Sequence, residues 1–204
     1  MSVLTDKGIR EHCKDSELWF AGKPLISPFM EGVQEGISYG LTSAGYDARL
    51  DDQVLVYKTT RWEPVDPKRF KDEEYRRQMF DEYRSKELRD GTGDTNGKII
   101  LPGGTYALVQ TMEEFCLPRW LKGRCVGKST YARCGVIVNT TPLEPEWYGK
   151  LTVEVYASVP VVLYVGEGIC QMEFECTEGI CETSYADKRG KYQGQQNVTP
   201  PKVK

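Results

Sequence analysis

The sequence contains a single histidine, His12, and none of its seven cysteines (Cys13, Cys116, Cys125, Cys134, Cys170, Cys176 and Cys181) falls in a Cys-x-x-Cys pair. A structural zinc site and the zinc-dependent nucleobase deaminases both need such spacing, so neither chemistry is expected. His12 sits in a charged stretch and reads as a surface residue, which leaves no base for a Ser-His-Asp triad. No apolar run approaches the roughly 18 residues that span a bilayer, so no membrane partner is expected. Met1 to Lys7 lack the charged-then-apolar pattern of a secretion signal. The odd, scattered cysteines then read as reduced, buried thiols in a cytoplasmic protein. A basic excess is missing too: 27 Lys and Arg stand against 30 Asp and Glu, for a net charge of −3. That argues against a nucleic-acid partner while leaving room for a small anionic ligand held by a few local cations. No glycine-rich loop opens a helix after a strand, so neither a P-loop nor a dinucleotide fingerprint is present.

A length of 204 residues suits one domain with a real core. Thr5 reads as the N-cap of a short helix running to about Cys13, and residues 20–45, rich in Gly, Pro and Ser, read as loop. Strand patterns follow at Tyr46–Leu50 and Val54–Tyr57. From Lys98 onward nearly everything is strand and turn: Ile99–Leu101, Tyr106–Val109, Val136–Val138, Leu151–Ala157, Val161–Val165 and Ile169–Phe174. Strands at this spacing, broken by Gly and Pro, predict a mainly β sandwich or barrel with a few short helices. Residues 71–90 stand apart, since thirteen of the twenty are charged. Tyr75, Met79 and Tyr83 recur every fourth residue, and Asp72–Arg76, Glu73–Arg77 and Glu82–Lys86 are i,i+4 pairs. This predicts a charged, helical surface insertion over 71–97, ended by the glycine-rich run 91–97.

Three segments have the composition of a site. In Leu151–Ala157, period-two alternation sends Leu151, Val153, Val155 and Ala157 to one face and Thr152, Glu154 and Tyr156 to the other. Glutamate is uncommon in strands. If its face lines a pocket, the Glu154 carboxylate is desolvated and suited to proton transfer; otherwise it is a solvated outer residue. Gly127–Gly135 packs Lys128, Arg133 and the hydroxyls of Ser129, Thr130 and Tyr131 into nine residues, a composition suited to phosphate and also to an ordinary polar turn. The tail from Ser184 onward is polar and glycine-punctuated; it reads either as disordered or as a lid carrying cations, tyrosines and glutamines.

The run from Gly127 to Asn139, continued by Thr141-Pro142-Leu143-Glu144-Pro145-Glu146-Trp147, closely resembles bacterial dCTP deaminases. So do Ser184-Tyr185, Lys191-Tyr192-Gln193-Gly194-Gln195, and the pair Ile37–Gly40 and Gly45–Asp47. The resemblance spans nearly the whole chain. It implies one domain over 1–204 with a dUTPase-like β-barrel or distorted jelly roll, a lid over 184–204, and a 71–97 segment longer than the family's own. It also implies a homotrimer with active sites shared at subunit boundaries, and zinc-free hydrolysis of dCTP to dUTP and ammonia. Mg²⁺ would accompany the triphosphate, and dTTP would inhibit. Carried over by position, Glu154 is the general base and acid, with Arg133 and Ser129 beside the reacting centre. Lys128, Ser129, Thr130, Tyr131, Ala132 and Arg133 contact the nucleotide, Thr152, Val153 and Glu154 read the base, and Gln171, Tyr185, Lys191 and Gln195 complete the site. Two alternatives remain. One is a bifunctional deaminase that also hydrolyses dUTP, for which Glu144 is the second carboxylate. The other is a nucleotide-sensing protein without activity.

Overall fold

The computed structural model describes residues 2–58, 64–84 and 97–203. Helix α1 (Asp6–Lys14), with Thr5 at its N-cap position but making no side-chain capping bond, is followed by short strands β1 (Ile26–Ser27) and β2 (Gly40–Thr42). The two strands expected between Tyr46 and Tyr57 are one long strand, β3 (Gly45–Tyr57), whose pairing shifts register between Leu50 and Val54. Then come α2 (Glu73–Met79), β4 (Phe80–Arg84), β5 (Lys98–Leu101), β6 (Thr105–Cys116), β7 (Leu121–Gly127) and α3 (Ser129–Arg133). Strands β8 (Val136–Asn139), β9 (Tyr148–Ala157), β10 (Val161–Tyr164) and β11 (Gly168–Cys176) complete the set.

Among the described residues the main sheet runs β7-β11-β3-β6-β9-β8, every neighbouring pair antiparallel, and β5 pairs with β10 apart from it. The two ends of that path nearly meet, which makes the sheet barrel-like. Gly123 on β7 exchanges two backbone hydrogen bonds with Leu143, at 3.0 and 2.8 Å. A Cβ on Gly123 would lie 3.2 Å from that of Leu143, so glycine permits the approach. Inward residues from most strands, among them Tyr46, Leu50, Val109, Phe115, Val153 and Phe174, fill one core at zero exposure. The mainly β, barrel-like architecture expected from strand spacing is thus present. No helix of the described residues is long and apolar enough to cross a membrane.

The helix expected over 71–90 is corrected. A 3₁₀ turn at Pro67–Lys71 leads into α2, which ends at Met79; Phe80 is already extended, and Phe80–Arg84 pairs with Gln53–Tyr57 of β3. Local charge pairs contribute only about 0.2–0.5 kcal/mol each, too little to outweigh ladder pairing and aromatic burial. Glu73–Arg77 does pair, Asp72 caps Glu74 N–H at 2.9 Å, and Glu82 instead accepts from Gln53 at 2.8 Å. Lys86 and the run 91–96 lie outside the described residues. Nor is the stripe a surface feature: Tyr75 and Met79 are buried with Phe70, Phe80, Leu55, Leu108 and Val198 in a second apolar cluster on the outer face of the sheet. His12 is half-buried, its ring edge-on to Trp120 at 5.3 Å. All seven cysteines are free, but only Cys13, Cys116 and Cys170 are buried, and Cys134 is exposed.

Candidate active site

Strand β9 alternates as its sequence dictates: Leu151, Val153, Val155 and Ala157 enter the core, while Thr152 and Glu154 face outward. The outer face is not open to solvent there. The ladder sets Leu108 opposite Glu154 and Tyr106 opposite Tyr156, and β3 adds Leu55 and Tyr57 to the same rows. Tyr57 packs on Phe80 at 4.2 Å and on Tyr106 at 5.3 Å, so the second cluster forms an aromatic wall beside the carboxylate. On the other side the tail is tied down along β9. Lys150 N–H donates to the Gln195 carbonyl at 2.9 Å, the Gln195 amide donates to the Lys150 carbonyl at 2.7 Å, and Thr199 N–H donates to the Thr152 hydroxyl at 3.1 Å.

Between wall and tail lies a cavity of about 890 Å³, whose lining includes Glu154, Thr152, Tyr106, Tyr185, Lys191 and Gln195. Oε2 of Glu154 and Oε1 of Gln195 are buried without a hydrogen-bond partner among the described residues. Burial pushes the Glu154 carboxyl above the usual carboxylate range, and hydrogen bonds from its own N–H and from Thr140 only partly offset this. Two unsatisfied acceptors in one cavity suit a ligand that brings hydrogen-bond donors. Glu144 and Lys188 pair at 2.7 Å on the same lining.

The remaining sequence-derived candidates stand elsewhere in the chain. Lys128 is buried where β7 gives way to α3; its ammonium pairs with Asp47 and donates to Ser38 at 3.0 Å. Gln171 donates to the same Asp47 at 3.3 Å, so Lys128 and Gln171 share one cluster. Ser129, Thr130, Ala132 and Arg133 are exposed on α3. Tyr131 turns inward, and its hydroxyl accepts Tyr164 N–H at 2.9 Å. Val153 side-chain atoms are wholly in the core. The β8–β9 ladder sets Asn139 opposite Glu154 and Val136 opposite Ala157, so α3 lies beyond the far end of that ladder. At about 3.3 Å per residue this places Arg133 roughly 10 Å or more from Glu154 along the strand. One chain therefore assembles Thr152, Glu154, Tyr185, Lys191 and Gln195, and holds Ser129 and Arg133 apart from them.

The dCTP deaminase-like family model matches residues 3–177. The chain belongs to the dCTP deaminase-like family. It is 42% identical to a dCTP deaminase of Paramagnetospirillum magneticum over 207 residues, and 43% identical to that of Cupriavidus metallidurans over 211 residues; each alignment covers all of both chains. Among solved structures, 2'-deoxycytidine 5'-triphosphate deaminase of Agrobacterium tumefaciens shares the fold, with a TM-score of 0.57 at 20% identity. That match covers 86% of this chain and 48% of the other, so this chain spans about half its length. Tyr57, Tyr106, Leu108 and Thr140 line the family member's cavity without having been singled out in sequence. Only cross-strand register brings the first three to Glu154, and periodicity within one strand carries no such signal.

Proposed function

We propose that this chain is a dCTP deaminase, which hydrolyses dCTP to dUTP and ammonia in supply of thymidine nucleotides. The observation that carries the reading is the Glu154 carboxyl: half-buried in a cavity, with one oxygen enclosed and unpartnered and its proton affinity raised. The ionised carboxylate takes a proton from water as the oxygen attacks C4 of cytosine. The resulting acid passes that proton to the exocyclic nitrogen. The C4–N bond breaks as the electron pair that the attack moved onto N3 re-forms the ring C=N bond, and ammonia leaves. The proton of the new C4 hydroxyl then moves to N3 to give uracil. A group with a raised pKa is matched to both halves of this cycle near neutral pH.

The tetrahedral centre needs fixed donors, and the reading assigns them to Ser129 and Arg133 of a second copy in a homotrimer. What supports this is their exposure on α3, their separation from Glu154 within one chain, and the exposed Ile137 and Tyr156 at the β8 edge. Lys191 and Tyr185 would face the triphosphate, and Gln195 Oε1 would accept from the base or sugar. The cavity offers two carboxylates, one engaged by Lys188 and one reserved for proton transfer, which is too few for a cation cage built by protein. Mg²⁺ would therefore arrive with the triphosphate and offset its charge. Among the described residues no group of three or more His, Cys, Asp and Glu could hold a metal ion. The reading includes dTTP as an inhibitor at the same site, and seven free thiols suit the cytoplasm.

Incubation with dCTP, dUTP and dCMP plus Mg²⁺, with ammonia and pyrophosphate measured separately, tests the assignment. Ammonia from dCTP alone is expected. Pyrophosphate released from dUTP would favour the bifunctional alternative, for which Glu144 on the same lining is the available second carboxylate.

A further inference from the structure

Arg119, between β6 and β7, is absent from the cavity lining yet joins two parts of the chain that build it. Its Nε donates to the Cys181 carbonyl at 3.0 Å and its Nη2 to the Glu182 carbonyl at 2.9 Å. Nη2 also pairs with the Asp187 carboxylate, and Nη1 reaches Glu146 Oε2 at 3.5 Å. The Cys181 thiol donates back to the Arg119 carbonyl at 3.6 Å. Asp187 in turn accepts Ser184 N–H at 2.9 Å, while Ser184 Oγ accepts Asp187 N–H at 3.1 Å, which closes a turn. That turn holds or adjoins Tyr185, Lys188, Gly190 and Lys191, all on the cavity lining. The Glu146 end of the fork sits in the loop before β9, where Tyr185 N–H donates to the Pro145 carbonyl at 3.0 Å. The short-range charge of the guanidinium helps hold Asp187 below the usual carboxylate range, after the Ser184 N–H.

We propose that Arg119 is a positioning residue for nucleotide binding: its fork fixes the 181–187 turn against the Glu146 loop and so presets Tyr185 and Lys191 over the cavity. The proposal rests on the dCTP reading for its ligand. Its geometry follows from the planar, multidentate guanidinium, which one ammonium cannot reproduce. Without the fork, the turn regains conformational freedom that the ligand must then remove on binding.

The test uses the full chain with Arg119→Gln, Arg119→Lys and Asp187→Asn. Bond-by-bond mapping of limited trypsin cleavage, without nucleotide, should show faster cutting after Lys188, Arg189 and Lys191 in Arg119→Gln. In steady state the KM for dCTP should rise roughly tenfold while kcat stays near that of the parent, the pattern of lost ground-state binding. Arg119→Lys should fall between, and Asp187→Asn should raise KM without adding to the effect of Arg119→Gln when combined. Unchanged cleavage and unchanged KM in Arg119→Gln would overturn the proposal. So would a fall in kcat and melting temperature at constant KM, which marks a general structural role. If the parent itself releases no ammonia from dCTP, the functional reading fails, and the cleavage pattern alone still decides whether Arg119 holds the turn.

Discussion

Glu154 has a conflict built into its position: burial favours its neutral form, and taking a proton from water requires the ionised one. Below the ordinary glutamate value of 4.5, folded and unfolded chains both hold the proton. As pH rises the unfolded chain ionises first, so stability falls until the folded carboxyl has ionised as well. Glu154→Gln should therefore melt higher than the parent at pH 7, with the difference gone at acid pH, as calorimetry across pH would show. The same variant should keep nucleotide affinity and lose about 10²–10⁴-fold in turnover, the usual contribution of a general acid–base group. The acid limb of kcat/KM in the parent should lie above the ordinary carboxylate range. Another carboxylate, Glu113, is fully enclosed and accepts from Arg49 Nε at 2.6 Å and Arg49 N–H at 2.8 Å. Arg49→Met would strand that charge and should cost about 3–5 kcal/mol in urea unfolding. In sequence a glutamate amid an apolar strand is out of place, which leaves Glu154 either solvated or catalytic, and the family resemblance alone implies its role. Its aromatic neighbours are not legible there, because Tyr57 and Tyr106 reach it through pairing of three strands distant in sequence.

At the scale of elements, the segment read from sequence as a charged helix contributes most by what it buries. Its acidic and basic residues describe one side only. Phe70, Tyr75, Met79 and Phe80 describe the other, and they cover the outer sheet face next to Glu154. Local spacing favours helix through residue 90 because the pattern of pairs continues; the free edge of β3 decides otherwise for Phe80–Arg84. Phe80→Ala should destabilise by about 3–5 kcal/mol in denaturant titration. It should also lower the acid limb of the pH profile, since water admitted behind Tyr57 would favour the charged form of Glu154. From sequence the tail reads as either disordered or a lid. In the structure it is held by the chain's own contacts: Val198 is buried in the second cluster, Val198 N–H donates to Gln53 at 3.1 Å, and Gln110 donates to the Gln196 carbonyl at 2.8 Å. Truncation after Ala186 should therefore lower the melting temperature as well as raise the KM for dCTP.

At the scale of the molecule, the candidate residues fall into two sets that one chain does not bring together. The family resemblance names both sets along the sequence, and strand spacing predicts the β architecture that the structure shows. The distance between the sets became visible only through the β8–β9 register, which sends α3 away from Glu154. The account joins them across copies: Glu154 and the tail from one chain, Ser129 and Arg133 from the next. Mixing two inactive variants tests this most directly. Glu154→Gln and Arg133→Ala, each purified alone, should release little ammonia from dCTP. Unfolded together in equal amounts and refolded, they should form mixed trimers in which about a quarter of the boundaries join an intact Glu154 to an intact Arg133. Deamination should then return to roughly a quarter of the parent rate. Mixed assemblies, verified by mass, that stay as inactive as their components would contradict the shared site.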